Sequence, residues 1–197
     1  AAVDLAALAP ADGCGGRQPP PVASEGTAPG APAVPAMPAL RDLNDTPRLG
    51  ARPGTLGAHV PCAGAIGPGA ALAAADPTGR LAGYAPTLPA QPGELLARCP
   101  LTVVDLGSVD GAGADRRAAA RRFDRRLALI RDHQPAGAVL IVLGVAETDA
   151  RQPRLHVAVA HGPGFGPGWL RSPSTRRLPY VQLADVAPTV LRVLGQP

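Results

Sequence analysis

Two runs, the mainly apolar LTVVD at 101–105 and the wholly apolar AVLIVLGV at 138–145, constrain this chain more than any other feature. Each is short and rich in β-branched residues, so each reads as a strand. Apart from the acid that ends the first, neither alternates apolar with polar side chains, which is the pattern of a strand covered on both faces. Between them, residues from about Ala114 to His133 place Ala119, Ala120, Phe123, Leu127 and Ile130 on one side of a long helix. Strand, helix, strand in this order predicts an α/β fold with a mainly parallel sheet. LHVAVA at 155–160 reads as a further strand, and YVQL at 180–183 as the last. A short helix follows, with Val186, Val190, Leu191 and Leu194 as its apolar face. Asp185 is expected to cap its first amides, and Gly195 to end it.

The first part of the chain carries weaker signals. Residues 1–53 read as a Pro/Gly-rich irregular segment or linker, because PPPVASEGTAPGAPAVPAMPAL places a proline every few residues and so removes amide donors. Order is expected from residue 54 onward. GTLGAHV reads as a helical turn, CAGAIGPGAAL as a short buried strand entering a tight glycine-rich turn, and DPTGR at 76–80 as a turn. The GPG at 67–69 is not a phosphate-binding loop: it lacks both GxxxxGK[ST] and GxGxxG.

Composition limits the function classes. A length of 197 residues suits one domain with an irregular extension. The 25 prolines, 24 glycines and absence of lysine match a high-GC coding bias, so the arginine count alone is not functional evidence. No run approaches the roughly 20 apolar residues of a membrane span, and the first residues lack the pattern of a signal peptide. Cys14, Cys62 and Cys99 match no zinc spacing; one disulfide with a free thiol, and three buried thiols, both stand open.

Among candidate chemical groups, Asp105 is the most suggestive. It follows a strand at the end where α/β sheets gather ligands, which suits a metal ligand. The plainer reading is an acceptor for the GSVDGAGAD loop, and sequence alone favours it. Asp115 reads as a cap for the long helix. His133 ends that helix, where its dipole favours a cation. His156 and His161 are five residues apart and would face opposite sides of a regular strand, a poor chelating pair. Ser108, Ser172, Ser174 and Thr175 are hydroxyls without a G-x-S-x-G context or an evident base. Arg117, Arg121 and Arg125, with Arg122 and Arg126, form two rows of i, i+4 neighbours. No interleaved aromatics accompany them, so a solvated outer face is preferred over specific nucleic-acid binding.

LADVAPTVLRVLG resembles the C-terminal signature of the alkaline phosphatase superfamily, in the branch of phosphoglycerate mutases, phosphopentomutases and sulfatases. Working backwards, LHVAVAHGPGF, VLIVLGVAETD and LTVVDLGSVD resemble successive strand segments of that family. The correspondence covers about residues 55 to 197. AIGPGAALAAADPTGRLAGY and STRRLPYVQLADVAPTVL are further similar to an actinobacterial group of membrane-associated proteins with an extracytoplasmic phosphatase-like domain. The resemblance implies an alkaline-phosphatase-like three-layer sandwich with a mainly parallel sheet, spanning 54–197 and truncated on its N-terminal side. It also implies an extracytoplasmic or membrane-associated location and a membrane-anchored remainder as partner.

Active members hold two metal ions with Asp and His at several strand ends. Here Asp105 stands at one carboxylate position, but Val109 replaces the expected histidine, and Val145 with Ala146 replaces the Asp-His pair. Around Arg151 and Gln152 there is no replacement histidine. The resemblance therefore implies a catalytically degenerate domain, a structural or binding module of a cell-envelope protein that needs no cofactor. The first alternative is a zinc- or manganese-dependent phosphohydrolase or sulfohydrolase using Asp105, Asp149 and His156. The second is an arginine-mediated binder of nucleic acid or anionic polymer.

Overall fold

Alanines line the contact between one strand and one helix at the centre of this protein, and Val34, Met37, Leu40 and Ile66 are buried as fully. The computed structural model describes residues 21–23, 31–44, 52–109, 112–145 and 155–196. In chain order its elements are α1 (Met37–Asn44), α2 (Thr55–Ala58), β1 (Ala63–Ile66), α3 (Pro68–Ala74), β2 (Gly83–Ala85), α4 (Gly93–Arg98) and β3 (Leu101–Val104). There follow α5 (Gly113–His133), β4 (Leu140–Leu143), β5 (Ala158–His161) and α6 (Val186–Val193), the last entered through a 3-10 turn at Leu183–Asp185.

The architecture is mixed α/β, with a three-stranded parallel sheet in the order β2-β1-β3. Gly64 pairs with Gly83 on one side and with Thr102 on the other, so β1 is central. All four of its residues are buried. Ala63 and Ala65 lie in one apolar cluster with Ala70, Ala71 and Ala74 of α3, and such short side chains let helix and sheet approach closely. Leu191 of α6 and Leu194 just after it pack against the same cluster, so two of the four apolar residues expected on this helix's face are used there. A disulfide between Cys62 and Cys99 joins the segments that enter β1 and β3. Cys14 lies outside the described residues.

Part of the segment expected to be irregular is built into this core. Ala23 and Ala33 exchange backbone hydrogen bonds, and Val34 N–H donates to the Gly79 carbonyl at 2.8 Å. Val34, Met37 and Leu40 are almost fully buried. Each such side chain contributes about 1.5–3 kcal/mol. Proline density hid this: a brief apolar spacing after Pro32 and Pro35 is enough to form one docked helix. The GPG segment also differs from the expected turn. Pro68 is the first residue of α3, where its missing N–H costs nothing.

The remaining strands depart from the expected parallel sheet. β4 and β5 form a separate two-stranded antiparallel ladder, Leu140 opposite His161 and Leu143 opposite Ala158. An apolar run in β4 is equally compatible with a hairpin-like and a crossover connection, and here the antiparallel pairing is adopted. Tyr180–Leu183 is not a strand: its residues precede or enter the 3-10 turn, and Tyr180 and Leu183 are exposed. α5 matches the expected helix to within one residue, with Ala119 and Ile130 buried. Among the described residues no helix is long and apolar enough to cross a membrane.

Candidate functional site

The order β2-β1-β3 places a reversal of strand order between β1 and β3, because the chain leaves β1 for one neighbour and later returns to the other. The carboxyl ends of two such strands diverge into connections on either side, and that crevice is where parallel α/β sheets bind ligands. Here it is framed by Gly67–Gly69 after β1 and by Asp105 after β3. Asp105 continues the ladder, its N–H donating to the Ile66 carbonyl at 2.8 Å.

The Asp105 side chain occupies the crevice itself. Gly69 N–H donates to Oδ2 at 3.2 Å, and Gly107 N–H donates to Oδ1 at 2.8 Å. One carboxylate thus ties the start of α3 to the loop after β3. Both glycines before it are required by this closeness. Gly67 adopts φ +92°, and a Cβ there would lie 2.8 Å from Asp105 Cβ. A Cβ on Gly69 would lie 2.7 Å from Oδ2. The loop is held a second time by Arg126, whose Nη1 donates to the Leu106 carbonyl at 2.9 Å.

A metal would need more than this carboxylate. Asp149, Ala146, Arg151 and Gln152 lie outside the described residues. Val109 lies in the loop after β3, and Val145 is largely exposed after β4. His156 is exposed ahead of β5, with its Cβ only 2.7 Å from where a Cβ on Gly144 would stand. His161 is exposed at the end of β5. Among the described residues no three His, Cys, Asp or Glu side chains are grouped to hold an ion. The described residues therefore do not fit the two-metal site that the family resemblance implies. His133 serves α5: Nδ1–H donates to the Leu129 carbonyl at 2.9 Å, and Nε2 meets Gln91 Oε1 at 3.2 Å.

A second polar cluster brings together residues that lie apart in sequence. Asp185 makes no side-chain cap to α6. Its carboxylate instead accepts hydrogen bonds from the Ser172 hydroxyl and from the Ser174 hydroxyl. These bonds, Ser172 first, hold the Asp185 carboxyl below the ordinary carboxylate range. Thr189 Oγ1 donates to the Asp185 carbonyl at 2.6 Å, and Thr175 Oγ1 to the Tyr180 carbonyl at 2.7 Å. Ser172 is almost completely buried. A serine that donates to a carboxylate, with no imidazole between them, is not a nucleophile of the Ser-His-Asp kind. The cluster pins the 172–180 loop to the start of α6. Sequence reasoning named Ser172, Ser174, Thr175 and Asp185 but not their meeting, since nothing local marks a contact spanning 13 residues.

A depression of about 240 Å³ lies at the opposite end of the parallel sheet, lined in part by Cys62, Ala63, Asp76 and Arg80. Its one carboxylate is turned to local use. Asp76 Oδ1 accepts from Thr78 N–H at 2.7 Å, Thr78 Oγ1 at 2.7 Å and Arg80 N–H at 3.0 Å. Burial pushes the Asp76 carboxyl up, but these bonds and the Arg80 charge outweigh it and hold it low. This is the turn expected from DPTGR.

Compared with known proteins, the chain matches no protein-family model, no curated protein and no solved structure.

Proposed function

We propose that this chain is a catalytically degenerate alkaline-phosphatase-like domain that serves as a structural or binding module of a cell-envelope protein. The observation that carries the reading is the engagement of Asp105: both its oxygens accept backbone N–H groups of the loops it joins. At the position where the resemblance implies a metal ligand, the carboxylate works as a fastener of the sheet's rim. The replacement of the neighbouring ligand positions by Val109 and Val145 supports the same reading. The Cys62–Cys99 bridge supports an extracytoplasmic location, because disulfides persist in oxidising compartments.

The test is metal analysis of protein purified and dialysed in the presence of zinc or manganese, combined with aryl phosphate and aryl sulfate assays. The reading expects no stoichiometric metal and no turnover above buffer. Stoichiometric metal with turnover that Asp105→Asn abolishes would establish the hydrolase instead.

A further inference from the structure

We propose that the Cys62–Cys99 bridge is a redox switch, opened at Cys62 by a low-molecular-weight thiol that enters the depression beside it. The two sulfurs differ in access. Cys62 is half-buried and lines the depression of about 240 Å³, whereas Cys99 is only 6% exposed and lies outside that lining. Exchange begins when a thiolate attacks one sulfur of a disulfide, and access decides which sulfur is attacked. The depression is smaller than the roughly 300–1,000 Å³ of clefts that take drug-sized ligands, which suits a small thiol.

The first step needs no added oxidant or reductant. The thiolate sulfur bonds to Cys62 Sγ, the S–S bond of the bridge breaks, and Cys99 leaves as a thiolate that takes a proton from water. Cys62 then carries the small thiol as a mixed disulfide. Return attack by Cys99 on Cys62 Sγ expels the thiol and restores the bridge. Attack by a second thiol molecule instead releases the disulfide of the two small thiols and leaves Cys62 and Cys99 both reduced.

Opening acts on one end of the parallel sheet. The bridge ties the segments entering β1 and β3, just before Ala63 pairs with Leu101. The far ends of the same strands are fastened separately, by the Asp105 oxygens on Gly69 and Gly107. The end released is the one at which Cys99 follows α4, while the other stays closed.

Charge at the mouth of the depression gives a test that a purely structural bridge would not pass. Ala82 is exposed and lines the same depression. Its N–H donates to the Ala63 carbonyl at 3.1 Å, which sets it beside the residue that follows Cys62. The lining carries one acid, Asp76, and one base, Arg80, so it does not select in advance for a thiol of either sign.

The experiment exposes the full chain carrying Cys14→Ser, with its bridge intact, to reduced glutathione or to cysteamine. Samples are quenched in acid and the adducts mapped by peptide mass spectrometry. At least about nine-tenths of the mixed disulfide formed on the folded chain should sit on Cys62, against a division even to within about twofold on the urea-unfolded chain. Ala82→Glu should slow opening by anionic glutathione about threefold and speed opening by cationic cysteamine, and Ala82→Arg should do the reverse. Circular dichroism of both variants should match the parent, since Ala82 is exposed; the adduct map stands without them. Adducts chiefly on Cys99, an even division on the folded chain, opening no faster than global unfolding, or rates indifferent to the charge at position 82 would each overturn the proposal.

Discussion

The three-stranded unit and the two-stranded unit contain similarly apolar strands but bury them very differently. β1 is buried along its whole length beneath α3, and Met37 and Leu40 of α1 are fully covered. In and before β5, Leu155, Val157 and Val159 are 81%, 70% and 50% exposed. Hydrophobic sequence therefore does not determine burial by itself; a strand also needs a neighbouring layer of matching shape. In the first unit alanines supply that layer, and buried-rim contacts such as Asp105 to Gly69 fasten it. Among the described residues, β4 and β5 have only each other as ladder partners, and a lone pair of strands is marginally stable.

The contrast is sharpest for stability. Met37→Ala should cost about 2–5 kcal/mol, because a fully buried side chain leaves a cavity. Val159→Ser, by contrast, should change stability by less than about 0.5 kcal/mol. Denaturant unfolding of both variants decides this, and equal losses would break the comparison. Reduction of Cys62–Cys99 should come next, at about 2–4 kcal/mol, since the bridge closes a loop with a sequence separation of 37. Unfolding with and without reductant, compared with Cys62→Ser/Cys99→Ser, measures it.

Asp105→Asn should cost about 1–3 kcal/mol, because one amide oxygen cannot replace two charged acceptors for the amides of Gly69 and Gly107. A smaller effect is expected at Asp185. Its carboxyl is held low by Ser172 and Ser174, so its contribution is full above the unfolded-state value of about 3.9 and is lost as pH falls through the lowered folded value. Melting curves taken through the acid range should show Asp185→Asn destabilised at neutral pH, with the gap to the parent closing as acid is added. A gap that widens in acid would contradict this assignment.

What was legible in the chain follows the range of the interactions concerned. α5 is set by its own periodicity and was placed within a residue; the DPTGR turn is closed by Asp76 accepting from Thr78 and Arg80, within four residues of it. The strand character of β1, β3, β4 and β5 was legible for the same reason. The parallel pairing expected of the sheet holds for β1, β2 and β3, but the antiparallel pairing of β4 with β5 was not legible, because an apolar run carries no mark of its neighbour. Tyr180–Leu183 has strand-like residues but no adjoining ladder, so it stays irregular and exposed. α1 was hidden by prolines that run into its first turn, where Pro38 is tolerated because first-turn amides have no intrahelical acceptor. For the site, the position of Asp105 was readable from the strand that precedes it. Its partners Gly69 and Gly107, and the convergence of Ser172, Ser174 and Asp185, depend on how distant segments meet.

The most direct test of the account is a thermal unfolding titration of the parent and Asp105→Asn with zinc and with manganese. If the rim carboxylate is a fastener, the substitution lowers the midpoint and neither metal moves the parent's. A saturable, stoichiometric rise in the parent's midpoint that is absent in Asp105→Asn would show that the carboxylate holds an ion, and would contradict the account.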